Sequence, residues 1–166
     1  KQFTFTTQLM IKILVLGGGK VGSAIAFDLA KNHIVTVADI NELTLNNLSK
    51  KIKVKTICTD VATSNKLRNI IEPYELIVSA VPGFMGYKTL QTIIECKKNV
   101  VDISFSPEDP LTLNELAIKN NVIALVDLGV APGLGNIIFG HYNELMKIDS
   151  YECYVGGLPK KKIPPF

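Results

Sequence analysis

Short apolar runs alternate with amphipathic stretches along most of this chain. Residues 11–16, 34–38, 54–58, 76–80, 100–103 and 122–126 are runs of strand length, and the apolar positions between them fall at helical spacing. Val21, Ala24, Ile25 and Leu29 share one face of a first helix. Leu45, Leu48 and Ile52 mark a second, with Asn41 placed to cap it. A third spans 63–71 and stops before Pro73, and Leu90, Ile93 and Ile94 mark a fourth. Leu113, Leu116 and Ala117 carry a fifth, and a sixth runs from about Leu134 through Ile138 to Leu145. This rhythm predicts an α/β fold: a Rossmann-type doubly wound parallel sheet with helices on both faces and strand order 3-2-1-4-5-6. Such a sheet takes its ligand across the carboxyl ends of the strands.

The two ends fall outside the rhythm. Residues 1–9 read as an upstream extension; the alternative is an edge strand, because Phe3-Thr4-Phe5-Thr6 alternates apolar and polar. Residues 10–149 form the expected dinucleotide-binding domain. In 150–166, Tyr151-Glu152-Cys153-Tyr154-Val155 has strand character, but Gly156-Gly157-Leu158-Pro159 and then Pro164-Pro165 break it. That segment reads as the opening strand of a truncated second domain, with a seventh strand on the same sheet as the alternative.

Composition narrows the class. A chain of 166 residues with 47% hydrophobic and 20% charged residues suits one well-buried soluble domain and excludes a disordered one. The apolar stretch around 76–85 is interrupted by Pro82 and is too short to cross a bilayer, and no signal peptide stands out in residues 1–9. Cys58, Cys96 and Cys153 are scattered without CxxC spacing, so neither a disulfide framework nor a metal site is expected, and a reducing cytoplasm is the simplest home. A net charge of +3 is modest, and Lys160-Lys161-Lys162 reads as a solvated tail rather than a nucleic-acid patch. Neither a membrane nor a nucleic acid is an expected partner.

The candidate chemistry begins at Gly17-x-Gly19-x-x-Gly22, which follows a strand and opens a helix. In that setting Gly17 serves the tight turn, Gly19 lets the backbone approach a pyrophosphate, and Gly22 lets helix and strand pack closely. Lys20 and Val21 join the phosphate-facing turn. Asp39 stands 22 residues after Gly17, where a carboxylate accepts the hydroxyls of an adenosine ribose and repels a 2′-phosphate, so NAD is the expected cofactor. The alternative is a Rossmann-like domain that binds no nucleotide. Asp60 and Val61 follow the third strand and are candidates for adenine; Asp60 serves equally as a helix cap. Ala80, Val81 and Pro82 end the fourth strand, where small residues let a nicotinamide lie against backbone, although a plain strand-to-helix turn has the same composition. In Asp102-Ile103-Ser104-Phe105-Ser106-Pro107-Glu108-Asp109-Pro110, the adjacent Glu108 and Asp109 can bind an ammonium or act as a base. They compete with Ser106 or Asp109 simply starting the next helix. Asp127 ends the sixth strand and is a second candidate. His33 lies on the wrong edge for catalysis, and His141 reads as a packing or surface residue.

The chain resembles the saccharopine dehydrogenase-like oxidoreductases. The resemblance rests on 15-VLGGGKVG-22, 37-VAD-39, 79-SAVP-82, 101-VDIS-104, 126-VDLGVAPG-133 and 154-YVGGLP-159. Pro82-Gly83-Phe84-Met85-Gly86 replaces a PYTFH-type segment of the saccharopine-forming reductases, and Gly129-Val130-Ala131-Pro132-Gly133 replaces their GLDPG. The resemblance thus implies the lysine 6-dehydrogenase-like branch: NAD-dependent oxidation at the carbon bearing a side-chain amine, with lysine or a related amino acid as the small-molecule substrate. It also implies a second α/β domain and a homodimer in the full-length protein. Asp109 with Glu108, on a loop leaving the carboxyl end of a strand, is the first candidate for the catalytic acid–base role, and Asp127 the second. A regulatory nucleotide-sensing domain of the potassium-transport type shares the glycine fingerprint, the acid after the second strand (Asp39) and an Asp after the third (Asp60), and is the rival from another class.

Overall fold

A computed structural model describes residues 9–156. Six strands, β1 (Lys12–Leu16), β2 (Ile34–Asp39), β3 (Lys55–Cys58), β4 (Leu76–Ser79), β5 (Asn99–Asp102) and β6 (Ala124–Leu125), form one parallel sheet in the order β3-β2-β1-β4-β5-β6. This is the predicted Rossmann topology. The helices are α1 (Lys20–Leu29), α2 (Glu42–Ser49), α3 (Ser64–Ile71), α4 (Gly83–Glu95), α5 (Asn114–Asn120) and α6 (Leu134–Leu145).

β1 lies between β2 and β4, so both of its faces are covered and its sequence is apolar at successive positions. Ile13 and Val15 point into a cluster with Val35, Val37, Ala26 of α1, and Leu45 and Leu48 of α2. Leu14 and Leu16 point the other way, into a cluster with Ile77, Val100, Leu67, Ile71, Leu90, Ile93 and Ile94. The two-residue period of the strand thus distributes one apolar run between two cores. The helices divide accordingly, α1 and α2 on one face and α3, α4 and α5 on the other, as right-handed crossovers running in two directions from β1 require.

Several expectations need correction. The buried face of α1 is Gly22 and Ala26, with Ile25 and Leu29 packed beside them; Val21 and Ala24 are exposed. Contact between Gly22 and the Gly17 carbonyl fixes the helix rotation, and a residue one position away lies 100° round the axis. Ile52 lies beyond the end of α2 but still packs on the core. The fifth helix divides into a 3₁₀ turn at Pro110–Leu113 and α5.

β6 is two residues long rather than five. Val122 is drawn instead into the end of α5, its amide donating to the Ala117 carbonyl at 2.9 Å after Asn121 reverses the chain at φ 55°. At the other end Asp127 takes φ 55° and turns the backbone out of the sheet. α6 forms where expected, but none of its residues is buried. The strand expected at 151–155 is not formed. No sheet edge pairs with it among the described residues; instead Tyr151 folds back on α6, with its ring 5.0 Å from that of Phe139 and its hydroxyl donating to the Gly135 carbonyl at 3.0 Å. The Phe3-Thr4-Phe5-Thr6 alternation, Lys160-Lys161-Lys162 and Pro164-Pro165 lie outside the described residues. No described helix is long and apolar enough to cross a membrane.

Candidate functional site

The glycine turn forms at the carboxyl end of β1. The Gly17 amide donates to the Ala38 carbonyl at 2.8 Å, and Gly17 adopts φ +96°. A Cβ there would stand 2.6 Å from the Ala80 carbonyl oxygen, so a side chain is excluded twice, by conformation and by space. A Cβ on Gly22 would fall on the Gly17 carbonyl oxygen, which is why helix and turn approach so closely. Gly19 differs: nothing lies within 4 Å of the Cβ it lacks. It is also the N-cap of α1 and brings no side chain to the helix end, whose first turn carries no acid. The unpartnered amides and positive dipole end of α1 therefore face open space, as a phosphate site needs. Val21, next to Lys20 in the first turn of α1, is 57% exposed.

Asp39 reaches the same turn. Its Oδ2 accepts the Gly18 amide at 2.6 Å and its Oδ1 accepts the Asn41 amide at 2.7 Å. Both bonds hold the carboxylate in place, and each oxygen keeps a further lone pair for another donor. Asn41 in turn caps α2, its Oδ1 accepting the Thr44 amide at 3.1 Å. Next to this corner an open groove of about 400 Å³ is lined by Gly18, Gly19, Lys20, Ser23, Asn47 and Lys51, among others. The residues present fit an adenine dinucleotide: a side-chain-free phosphate approach, an uncapped helix terminus and a fixed carboxylate.

The other sequence candidates lie beyond the carboxyl ends of β3 and β4. Ala80 follows β4, its amide donating to the Leu16 carbonyl at 2.8 Å; Val81 is buried, and Pro82 is the N-cap of α4. Asp60 makes a local turn, Oδ1 accepting from the Ala62 amide at 3.0 Å and Oδ2 from the Thr63 hydroxyl at 2.8 Å. The Thr63 hydroxyl holds its carboxyl below the usual carboxylate range, with help from the Ala62 amide. Val61 is packed in the core cluster with Leu67 and Ile71.

Beyond β4 lies a second feature, a cavity of about 250 Å³ bounded by Tyr87 and Leu90 of α4, residues 104–110, Val126 and Asp127, with Asp102 at its wall. The loop seats against the first turns of α4 because Gly83 and Gly86 bring no side chains: a Cβ on either would strike Phe105 or Ser104. Ser106 Oγ also donates to the Gly83 carbonyl at 3.2 Å. Glu108, Asp109 and Asp127, separated by up to nineteen positions in sequence, thus share one cavity. Asp109 has a structural task as well. Its Oδ1 accepts the Leu111 amide at 2.9 Å and caps the 3₁₀ turn. Asp102 was not singled out by sequence reasoning, although it is 3% exposed and burial pushes its carboxyl above the usual range. Its position at the end of β5, where strands of this fold present ligands, was the available signal.

His141 is exposed on α6, its ring 5.3 Å from that of Tyr142, and His33 sits in the turn before β2. Cys58, Cys96 and Cys153 are free thiols, and no cluster able to hold a metal occurs among the described residues.

With this geometry in hand, comparison with known proteins places the chain. Residues 13–125 match the saccharopine dehydrogenase NADP binding domain, and the chain belongs to that family. It is a nucleotide-binding domain of the saccharopine dehydrogenase-like oxidoreductases. Among curated relatives it is 26% identical over 156 residues to the rat mitochondrial alpha-aminoadipic semialdehyde synthase, covering 89% of this chain and 17% of that protein. It is 28% identical over 161 residues to the NADP(+), L-glutamate-forming saccharopine dehydrogenase of Schizosaccharomyces pombe, covering 90% and 35%. The chain therefore spans only a minor part of these relatives' lengths. The solved L-Glu-forming saccharopine dehydrogenase of Saccharomyces cerevisiae superposes with a TM-score of 0.72 at 23% identity, over 81% of this chain and 31% of that one, which speaks for the fold.

Proposed function

We propose that the chain is the cofactor-binding part of an NAD-dependent amino-acid dehydrogenase that oxidises a carbon–nitrogen bond of lysine or a related amine. The observation that carries this reading is a pair of features on either side of β4 at the carboxyl end of the sheet: the glycine turn with Asp39, and a cavity lined by Asp102, Glu108, Asp109 and Asp127 and by no lysine, arginine or histidine. Carboxylates at a cleft raise the local concentration of cations, and an amino-acid side-chain ammonium is a cation of the right size. The oxidoreductase names of the curated relatives support the class. Gly83 and Ala131, standing where saccharopine-forming reductases carry polar groups, favour the lysine 6-dehydrogenase-like branch within it.

A nicotinamide dinucleotide, when bound, supplies the two-electron acceptor for the oxidation. The chain's own residues do the rest. The α1 amides from Lys20 onward hold the diphosphate, and the free lone pairs of Asp39 accept the ribose hydroxyls. Asp60 and Val61 serve the adenine end, and Ala80, Val81 and Pro82 leave room for the nicotinamide end. Glu108, Asp109 and Asp127 draw the ammonium to the cavity. Asp39 favours NAD, because a 2′-phosphate would meet its charge. A second reading, NADP, has Lys20 and Lys51 in its favour, since both line the groove beside the glycine turn.

In this reading the remainder of a longer protein supplies a second α/β domain and dimer contacts, in keeping with the greater length of the relatives, and the three free thiols fit a reducing cytoplasm. A nucleotide sensor of the potassium-transport type is the rival, and the family match reaching residue 125 weighs against it. The test is reduced-cofactor absorbance on adding L-lysine to NAD and a form of the protein that includes the following domain. Lysine-dependent reduction, impaired in Asp109→Asn or Asp127→Asn far more than NAD affinity is, supports the enzyme. Nucleotide-dependent conformational change without turnover of any amine supports the sensor.

A further inference from the structure

Asp102 closes β5 directly opposite Ser79 of β4, and it is the one Asp or Glu that is buried among the described residues. Its Oδ2 accepts from Ser104 Oγ at 2.7 Å and its Oδ1 from the Ser104 amide at 3.2 Å. Ser79 is wholly buried on the other side; its hydroxyl, close enough to favour the charged form of Asp102, satisfies no hydrogen bond of full geometry. The groups facing Asp102 from the surrounding elements are Ser79 of β4, Ser104, Asp127 beyond β6, and Tyr87, Glu108 and Asp109 around the cavity. No lysine, arginine or histidine lines that cavity.

A buried carboxylate without a cationic partner costs free energy unless something neutralises it. Burial is the main cause that lifts the Asp102 carboxyl above its ordinary range; the hydroxyls of Ser104 and Ser79 and the Ser104 amide oppose the shift, and the Asp127 charge adds to it. A more basic carboxylate at the edge of a cavity is suited to take a proton, and the two buried hydroxyls beside it favour its charged, accepting form. The position agrees. Ser79, at the end of β4, leads into the Ala80-Val81-Pro82 turn beside the dinucleotide crevice.

Building on the functional reading above, we infer that Asp102 is the proton acceptor of the site, receiving the proton of a substrate ammonium held in the cavity. An N–H bond breaks, an O–H bond forms on Asp102, and the electron pair stays on nitrogen. That pair then forms the C=N bond as the adjacent C–H bond gives its hydrogen and both electrons to the oxidised nicotinamide dinucleotide, leaving an iminium. Glu108, Asp109 and Asp127 hold the cation, while Asp102 takes its proton. This assigns the base to a residue distinct from the exposed pair Glu108 and Asp109.

The test reads Asp102 directly. Its carboxyl carbon is followed by NMR through a pH titration of the 166-residue chain, alone, with L-lysine and with L-norleucine, which has no side-chain ammonium. The expected result is a midpoint above the ordinary carboxyl range in the free chain, lowered by about 1 unit with L-lysine, the order expected for an opposite charge a few ångströms away. L-norleucine leaves it in place. In parallel, Asp102→Asn keeps NAD affinity within about twofold, well under the tenfold that 1.4 kcal/mol represents. An ordinary midpoint, or one that L-lysine does not move while NAD still binds, overturns the role of Asp102 and leaves the cofactor reading intact. Failure of the chain to bind either dinucleotide overturns the functional reading itself.

Discussion

The Asp39 carboxylate receives the Gly18 amide at 2.6 Å, joining the end of β2 to the turn that follows β1. A residue 21 positions away thereby fixes the glycine turn, while the turn fixes the carboxylate. Asn41, whose amide binds the other oxygen, adds the start of α2 to the same unit.

Asp39→Asn removes the charge but keeps one acceptor. Hydrogen bonds to charged groups contribute about 1.5–3 kcal/mol, so NAD affinity falls on the order of 10-fold or more. Discrimination against NADP falls with it, because the repulsion of a 2′-phosphate is lost. Titration calorimetry with both dinucleotides measures the two effects together. Unchanged NAD affinity contradicts the ribose role of Asp39.

Gly19 and Gly22 separate binding from stability. Gly22→Ala drives a methyl group into the Gly17 carbonyl, and overpacking of this kind costs about 1–3 kcal/mol, readable as a lower denaturant midpoint. Gly19→Ala meets nothing within 4 Å and keeps a φ of −64° that alanine accepts. Its denaturation midpoint stays near that of the parent while NAD binding weakens at least about 10-fold, because the methyl group occupies the phosphate approach.

Asp102 makes stability depend on pH in a defined direction. Its folded pKa is raised above the ordinary 3.8, so its contribution is complete below that value and is lost as pH rises through the folded pKa. Asp102→Asn, which has no charge to bury, is therefore more thermostable than the parent at neutral pH. The advantage shrinks as pH falls toward 3.8. Thermal unfolding of both proteins from neutral to acid pH checks this; a constant difference across the range contradicts it.

Asp109 carries a cap as well as a charge. Asp109→Ala loses the bond to the Leu111 amide and costs about 1 kcal/mol, whereas Asp109→Asn keeps an acceptor and leaves the unfolding midpoint nearly unchanged. Lysine turnover by the longer protein falls in both. Denaturation of the two variants beside the parent distinguishes the cap from the charge.

What could be read from the sequence was what is local. The strand, the glycine turn, the α1 start and Asp39 lie within one βαβ unit, and the residues that define each lie close together along the chain. The close packing at Gly22 was legible, but apolar spacing, which Val21 fits as well as Ile25, misassigned the buried face of α1, whose rotation is set by Gly22 meeting the Gly17 carbonyl. The length of β6 depends on Val122 being taken by the end of α5, and Tyr151-Glu152-Cys153-Tyr154-Val155 has strand composition but no partner among the described residues. Asp102 was passed over for the same reason. Its surroundings come from Ser79 of β4 and Asp127 beyond β6, 23 positions before it and 25 after, and only the folded sheet brings them together.

Calorimetric titration of the folded chain with NAD, and separately with NADP, tests the central claim most directly. The account predicts saturable binding at one site, with NAD preferred and with the heat lost in Gly19→Ala. The absence of binding by either dinucleotide at millimolar concentration, with the chain still cooperatively folded, contradicts it.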